Sequence, residues 1–341
     1  MITRRIAALA ALLLLAAVSA SAQTKPTLLN AAGATFPYPI YSKWFDEYHK
    51  LHPNIQINYQ SIGSGGGISQ LLDRTVDFGA SDLPMTDQQL ASAKVKILHF
   101  PTVLGADVAT YNIPGLTTEL KFTPQALAGI FLGKITKWND PAIASVNPGV
   151  KLPAQDIIVI HRSDGSGTTG IWTDYLSKVS DEWRTRVGMG TSVRWPVGLG
   201  GKGNEGVAGL VKQTPYSLGY VELIYAIQTK LPYGSVRNSA GTFVKASLES
   251  VSAAAASVAA SMPADFRVSI TNPGGANAYP IASFTWLLIP ARMEDPAKRA
   301  AIKDFLTWMM GPGQQYCEPL AYAKLPKEIV AKEIKAIALI Q

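Results

Sequence analysis

Cysteine, charge and long apolar runs are all scarce in this sequence of 341 residues. The one cysteine, Cys317, cannot form a disulfide within the chain, which excludes a disulfide-stapled scaffold and leaves a small buried side chain or a bond to another chain. Only 16% of the residues are charged, against roughly 25% in an average soluble protein, and they form no block of one sign. This pattern excludes a coiled coil and a polybasic nucleic-acid arm, and a hydrophobic content of 47% excludes a disordered chain.

The first 22 residues have the three parts of a secretory signal peptide. Arg4 and Arg5 precede an apolar run that ends at Val18, and the small residues 20–22 follow. The run is too short to cross a membrane, and no cysteine follows it for a lipid anchor. We therefore predict cleavage after Ala22 and a protein outside the cytoplasmic membrane with no membrane anchor. Loss of the two arginines lowers the formal net charge from +7 to +5, which is too mild for a nucleic-acid partner.

The rest of the chain alternates between strand-like and helix-like segments, which is typical of α/β layers with a largely parallel sheet. Its length favours two lobes. Strands are expected at 55–60, 76–80 and 156–161, helices at 68–75 and 171–179, and long apolar strands at 97–109 and 279–289.

Three glycine-rich segments with Ser or Thr precede predicted helices, at 33–36, 63–67 and 165–168. A helix start leaves backbone N–H groups unpaired and carries partial positive charge, and glycine lets an anion come close to the backbone. A single segment of this kind is ordinarily only a helix cap. Three in one chain favour an oxyanion site.

Two charged residues at predicted strand ends fit the same site. Arg162 has a guanidinium that can bind two oxygens of one anion, although it can also simply pair with Asp164. Asp82 would repel a fully ionised anion but can accept a proton from one that still carries it, as hydrogen phosphate does near neutral pH and sulfate does not. The alternative for Asp82 is a helix or turn cap.

Enzyme-like motifs are weak. Residues 198–203 match GxGxxG, but Pro196 interrupts the preceding segment, and we interpret the match as a turn. Ser166 lacks the glycine two residues earlier that a nucleophile elbow requires. Four histidines and one cysteine form no metal-binding motif, so we expect no metal, no cofactor and no catalytic residue.

At these residues the chain resembles the periplasmic phosphate-binding proteins of bacterial high-affinity ABC phosphate transporters, over most of the sequence from Gly33 to about Leu325. The matching segments are GATFP at 33–37, GSGGG at 63–67, VDFGASD at 76–82, RSDGSGT at 162–168 and WPVGLGGKGN at 195–204. The match weakens between about 229 and 276, and Gly65 stands where relatives often have serine.

The resemblance implies that phosphate is bound without chemistry between two α/β lobes. The implied ligand-binding residues are Thr35, Phe36 through its backbone N–H, Ser64, Asp82 as the acceptor of the ligand's proton, Arg162, Ser166, Gly167 and Thr168. Asp164 would hold Arg162 in place.

The resemblance also implies a periplasmic binding protein fold with discontinuous lobes joined by a two-segment hinge and the ligand in the cleft between them. Residues 23–103 with 280–341 would form lobe I, and residues 104–279 would form lobe II. The implied partners are the membrane permease and ATPase subunits of an ABC phosphate importer, and we expect a monomer.

Two alternatives stay open. The same fold can hold another oxyanion such as sulfate or molybdate, and Asp82 is the residue that discriminates between these ligands. A secreted phosphate-ester hydrolase with Ser166 as nucleophile would need a base beside it, and His161 at a strand end is a poor candidate.

Overall fold

The computed structural model describes residues 26–341. The predicted signal peptide at 1–22 lies outside the described residues. Within 26–341 there is no helix with the length and apolar character needed to span a membrane.

Strands and helices alternate along the described chain, which confirms the α/β class. The strands are β1 (Thr27–Gly33), β2 (Ile55–Ser61), β3 (Phe78–Ser81), β4 (Ile97–Asn112), β5 (Lys121–Phe122), β6 (Ile158–Arg162), β7 (Leu199–Gly201), β8 (Ser217–Glu222), β9 (Ser235–Arg237), β10 (Phe243–Val244) and β11 (Ala282–Pro290). The helices are α1 (Tyr38–Leu51), α2 (Ser64–Leu72), α3 (Asp87–Ser92), α4 (Pro124–Phe131), α5 (Pro141–Ala144), α6 (Gly167–Val179), α7 (Asp181–Arg186), α8 (Gly203–Gln213), α9 (Leu223–Thr229), α10 (Leu248–Ala259), α11 (Pro296–Met310) and α12 (Lys327–Ala336).

Eight strands form one sheet in the order β2-β1-β3-β11-β4-β8-β6-β7, and the other three form a small sheet in the order β10-β9-β5. β1 is parallel to β2 and β3, and β6 is parallel to β7 and β8. In the middle of the sheet, β11 and β4 run antiparallel to each other and to their outer neighbours. The prediction of a largely parallel sheet is therefore wrong at the centre, because a continuous apolar run shows that a strand is buried on both faces and not which way it runs.

Strand β4 joins the two halves of the sheet. Its first part, 97–106, pairs with β11, and its second part, 107–112, pairs with β8. The change of partner falls between Ala106 and Asp107. The lobe boundaries near 103 and 279 stay a prediction.

The residues after β11 pack against the first elements of the chain. The Trp44 indole N–H donates to the Gly313 carbonyl at 2.6 Å, and the Tyr48 hydroxyl donates to Asp304 at 2.7 Å. Phe305 of α11 packs against Phe45 and Tyr48. Both ends of the described chain thus share one core.

Two helices begin earlier than the sequence predicts. α2 begins at Ser64 and α6 at Gly167, so the glycine-rich segments form first helical turns and not loops before them. Glycine disfavours a helix by about 1 kcal/mol relative to alanine, but close packing overrides this propensity. A Cβ at Gly67 would overlap the Gly33 Cα and lie 2.6 Å from the Ala32 carbonyl oxygen.

We predict opposite effects for two helical glycine-to-alanine substitutions. Gly67→Ala forces β1 away from α2 and should lower the free energy of unfolding by about 1–3 kcal/mol, as overpacking does. Gly209→Ala in α8, where a Cβ would meet no atom within 4 Å, should raise it by about 0.5–1 kcal/mol through helix propensity. Urea unfolding followed by circular dichroism measures both, and an unchanged midpoint for Gly67→Ala would contradict the packing argument.

Candidate anion-binding site

The eight predicted ligand-binding residues come together where β1, β3 and β6 end, at the N-termini of α2 and α6. All eight are buried. The Gly65 N–H donates to the Gly165 carbonyl at 2.9 Å, which joins the second glycine-rich segment to the third. A Cβ at Gly167 would lie only 2.5 Å from the Asp82 carboxylate, so only glycine fits between these segments.

Three tyrosines fix the loop after β1. Consecutive carbonyl oxygens each accept a tyrosine hydroxyl: Ala34 from Tyr59 at 2.7 Å, Thr35 from Tyr225 at 2.5 Å and Phe36 from Tyr322 at 2.5 Å. Burial raises the pKa of each of these tyrosines well above its usual value, so the hydroxyls stay protonated and can donate. Within the described chain the backbone N–H groups of Thr35 and Phe36 have no acceptor, which leaves them as free donors in the site.

The N-terminus of α6 supplies a second set of donors. The Ser166 hydroxyl caps the helix by accepting the Thr169 N–H at 3.0 Å, as its position before a helix predicts, and its hydrogen stays available. Among residues 26–341 the N–H groups of Gly167 and Thr168 have no acceptor. They lie at the positive end of the helix dipole, so this turn suits a negatively charged ligand.

Arg162 and Asp164 form a two-pronged ion pair. The Arg162 Nε donates to Asp164 Oδ1 at 2.8 Å and Nη2 donates to Oδ2 at 2.6 Å, while Nη1 lies 3.3 Å from the Thr168 hydroxyl. The Gly203 N–H gives Asp164 a further hydrogen bond at 3.0 Å. Burial alone would disfavour both charges, but the pairing leaves the pKa of Asp164 below its usual value and that of Arg162 above it. The guanidinium, only 3% exposed, is thus held charged and in one orientation.

Asp82 is a carboxyl poised between its two protonation states. It is 1% exposed, Thr285 donates to its Oδ1 at 2.8 Å, and Ser64 lies 3.4 Å from its Oδ2. Burial raises the pKa of Asp82 to about 7, although the Thr285 hydrogen bond, the Arg162 charge and the Ser64 hydrogen bond each lower it. At neutral pH this carboxyl can accept a proton or donate one.

Two further buried acids lie at the point where β4 changes partner. Asp107 and Glu222 are paired in register on β4 and β8, and neither is exposed. Burial raises the pKa of both well above the usual value. Asp107 and Glu222 therefore favour their neutral forms, and the Asp82 charge contributes to the raised pKa of both.

Sequence reasoning missed two polar groups of the site. Asn204 lies in the first turn of α8, and its side chain donates to the hydroxyls of Thr35 at 2.8 Å and Thr168 at 3.0 Å. Its signal was its place in the WPVGLGGKGN segment. The interpretation of residues 198–203 as a turn is wrong, because 199–201 form β7 and α8 begins at Gly203. Thr285 had no signal at all, since it lies in an apolar run 203 residues from Asp82.

The site combines N–H and O–H donors, one guanidinium and one proton-accepting carboxyl, which suits a small oxyanion that carries a proton. Within the described residues no group of three or more His, Cys, Asp or Glu side chains is placed to hold a metal ion.

We predict that Asp82 makes the protein less stable as pH rises. An acid whose pKa is higher in the folded state than in the unfolded chain contributes most stability below its unfolded value, and that contribution is lost as pH rises towards about 7. Asp82→Asn should therefore gain stability relative to wild type from pH 5 to pH 8, by about 3 kcal/mol. Urea unfolding in phosphate-free buffer at several pH values measures this difference.

The control is Asp73→Asn, which removes an exposed carboxylate in the same part of the chain. Its stability should follow the wild-type pH dependence. Parallel curves for Asp82→Asn and wild type would refute the assignment. Asp107, Glu222 and the buried Glu333 act in the same direction in all three proteins, because burial is the main cause of each raised pKa. The Asp82 charge also raises the pKa of Asp107 and Glu222, so its removal reduces their loss of stability with pH as well, and the difference from wild type keeps its sign.

Comparison with known proteins places the chain in a family. Residues 18–312 match a family model described as a PBP superfamily domain. The phosphate-binding protein PstS of Pasteurella multocida is 47% identical over 97% of this chain and 94% of its own length. That of Xylella fastidiosa is 48% identical over 92% of this chain and 85% of its own length.

Solved structures share the fold at lower identity. A phosphate-binding protein from Stenotrophomonas maltophilia has a TM-score of 0.68 at 19% identity and covers 91% of this chain and 93% of its own. An ABC-type phosphate transport receptor from Vibrio cholerae has a TM-score of 0.56 at 16% identity, over 87% of this chain and 100% of its own. Because the chain is 47% and 48% identical to the two PstS proteins over most of its length and shares the two-lobed α/β fold, it belongs to the PstS phosphate-binding proteins of the PBP superfamily.

Proposed function

We propose that this protein binds inorganic phosphate with high affinity in the buried site and delivers it to an ABC-type import permease. The observation that carries the proposal is the composition of the site: donors from the loop after β1 and from α2 and α6 surround one held guanidinium, Arg162, and one carboxyl, Asp82. The names of the relatives and the description of the Vibrio cholerae structure support it.

Neutral donors do most of the binding in this proposal. Free N–H groups come from Thr35, Phe36, Gly167 and Thr168, and hydroxyls come from Ser64, Ser166 and Thr168. A buried anion loses its hydration shell and must recover those hydrogen bonds from the protein. Hydrogen bonds to a charged group are roughly twice as strong as neutral ones, so a full set of such donors with one arginine replaces water around the ligand.

Asp82 gives the site its selectivity. As a carboxylate it accepts the proton that hydrogen phosphate carries, whereas a sulfate oxygen in the same place would face it with lone pairs against a negative charge. A repulsion of this kind in a buried site costs several kcal/mol and rejects the wrong ligand. Arg162 cannot make this distinction, because a guanidinium attracts both anions.

In our proposal the ligand reaches this buried site when the two lobes move apart. Residues 23–103 with 280–341 form lobe I in our proposal, residues 104–279 form lobe II, and the hinge runs through β4 and the segment before β11. The change of partner in β4 between Ala106 and Asp107 supports it, because the two parts of that strand belong to different halves of the sheet. Closure around a ligand by rotation about such a hinge is a common binding mode.

The proposed role in phosphate import requires that the protein is exported and that it contacts the importer. We propose a periplasmic protein, cleaved after Ala22 and working as a monomer, that docks on the permease of an importer driven by an ATPase subunit.

We predict that the purified protein binds phosphate and rejects sulfate and molybdate at pH 8. Isothermal titration calorimetry should give a phosphate Kd at least roughly a hundredfold below that for sulfate. The margin should shrink at pH 5, because Asp82 with a pKa of about 7 is then protonated and donates to sulfate. Asp82→Asn should bind the two anions with more similar affinities, and the ratio of their Kd values should change less with pH than in wild type, because only the titration of phosphate itself remains.

Asp73→Asn is again the matched control and should keep the wild-type selectivity. Equal binding of sulfate and phosphate by wild type at pH 8 would refute the proton-acceptor role. Preference for molybdate would assign the site to that anion.

We also propose that binding involves no bond cleavage. The Ser166 hydroxyl accepts the Thr169 N–H, and the Nδ1 of His161 contacts the Arg162 carbonyl oxygen at 3.0 Å rather than a serine. A nucleophile needs a base within hydrogen-bond reach, and these contacts supply none.

We therefore expect no turnover of the chromogenic ester p-nitrophenyl phosphate by a stoichiometric amount of protein. Turnover that Ser166→Ala abolishes would establish the hydrolase instead.

A further inference from the structure

Asn204 connects three segments of the site through one buried amide. Its Oδ1 accepts the Glu222 backbone N–H at 2.9 Å. A backbone N–H can only donate, so this contact fixes which side-chain atom is the oxygen. The Nδ2 then faces the hydroxyl oxygens of Thr35 at 2.8 Å and Thr168 at 3.0 Å, on either side of the site.

Each of these threonine hydroxyls receives a second donor. The Asn204 backbone N–H lies 3.3 Å from the Thr35 oxygen, and the Arg162 Nη1 lies 3.3 Å from the Thr168 oxygen. A hydroxyl has two acceptor lone pairs and one hydrogen. Both lone pairs of each threonine are therefore in use, and only the hydrogen is left to bind a ligand.

We propose that Asn204 is a positioning residue that sets the hydrogen-bond polarity of the site, forcing Thr35 and Thr168 to act as donors to the bound phosphate. This inference rests on the proposed function. It has a consequence for specificity: hydroxyls that cannot accept offer no partner to the proton of the ligand. Of Thr35, Thr168 and Asp82, only Asp82 can then accept it.

A double-mutant cycle distinguishes this role from simple packing. Asn204→Leu keeps the branched shape of the side chain but removes the two amide N–H donors, so the threonine hydroxyls turn away, and phosphate Kd should rise about a hundredfold. In a Thr35→Val, Thr168→Val background the hydroxyls are absent, and the same substitution should raise Kd less than about threefold further. Equal fold-changes in the two backgrounds would show that Asn204 acts independently of the hydroxyls and would overturn the proposal.

The pH dependence of Asn204→Asp gives a second readout. An ionised Asp at this position accepts hydrogen bonds from Thr35 and Thr168 and reverses their polarity, whereas a protonated Asp can donate. The ratio of its phosphate Kd to that of wild type should therefore be largest at pH 8 and fall at least tenfold by pH 5. For Asn204→Leu the ratio to wild type should stay constant. A constant ratio for both variants would overturn the proposal.

The ratio to wild type removes the other titrations from this comparison. The charged and titratable groups around Asn204 are Arg162 and Asp164 from the end of β6, Asp82 after β3, Asp107 on β4, Glu222 on β8 and Glu205 on α8. All of them, and the ligand itself, are common to the proteins compared.

Two controls distinguish a loss of folding from a loss of phosphate binding. The melting temperature without phosphate is measured for every variant, and Asn204→Ala replaces Asn204→Leu in the cycle if the latter does not fold. If wild type binds phosphate but Asn204→Leu raises Kd by the same factor with and without the threonine hydroxyls, only this inference is overturned. Absence of phosphate binding by wild type overturns the proposed function, and the polarity role with it.

Discussion

One constraint governs the donors of the site: an oxyanion taken out of water must find a hydrogen-bond donor for each of its oxygens. The protein supplies those donors from backbone N–H groups that have no acceptor within residues 26–341, at the loop after β1 and at the first turn of α6. The close approach of the glycine-rich segments brings further backbone groups to the site. At Gly167 any side chain would collide with Asp82, so the backbone itself lines the site.

The electrostatics of the site are set by burial more than by the number of charges. Arg162 is paired with Asp164, and three further acids, Asp82, Asp107 and Glu222, are all buried. Burial raises the pKa of each of these three, which reduces the negative charge around the ligand. The direction of individual hydrogen bonds then distinguishes one anion from another, since similar anions experience a similar field.

Much of the fold and the site could be predicted where the signal is local. Arg162 and Asp82 follow short apolar runs, and serine or threonine with glycine precedes the helices, so their neighbourhood along the chain indicates their chemistry. The starts of α2 and α6 were misplaced because the close packing of Gly67 against β1 and of Gly167 against Asp82 outweighs the low helix propensity of glycine. Strand direction at β4 and β11 was wrong because apolar runs carry no direction. Asn204, Thr285 and the tyrosines that hold the loop after β1 meet the site across distances along the chain that no local pattern encodes.

Local sequence patterns are enough to predict the α/β class and the kinds of groups in the site: small residues and hydroxyls at helix starts, one arginine and one carboxyl at strand ends. What those groups do depends on how the chain packs in three dimensions. The pKa of Asp82 depends on its burial and on a hydroxyl from β11. The hydroxyls of Thr35 and Thr168 become donors because Asn204 and Arg162 occupy their lone pairs. Protonation and hydrogen-bond direction are properties of a group's surroundings, and those surroundings exist only once remote segments have packed together.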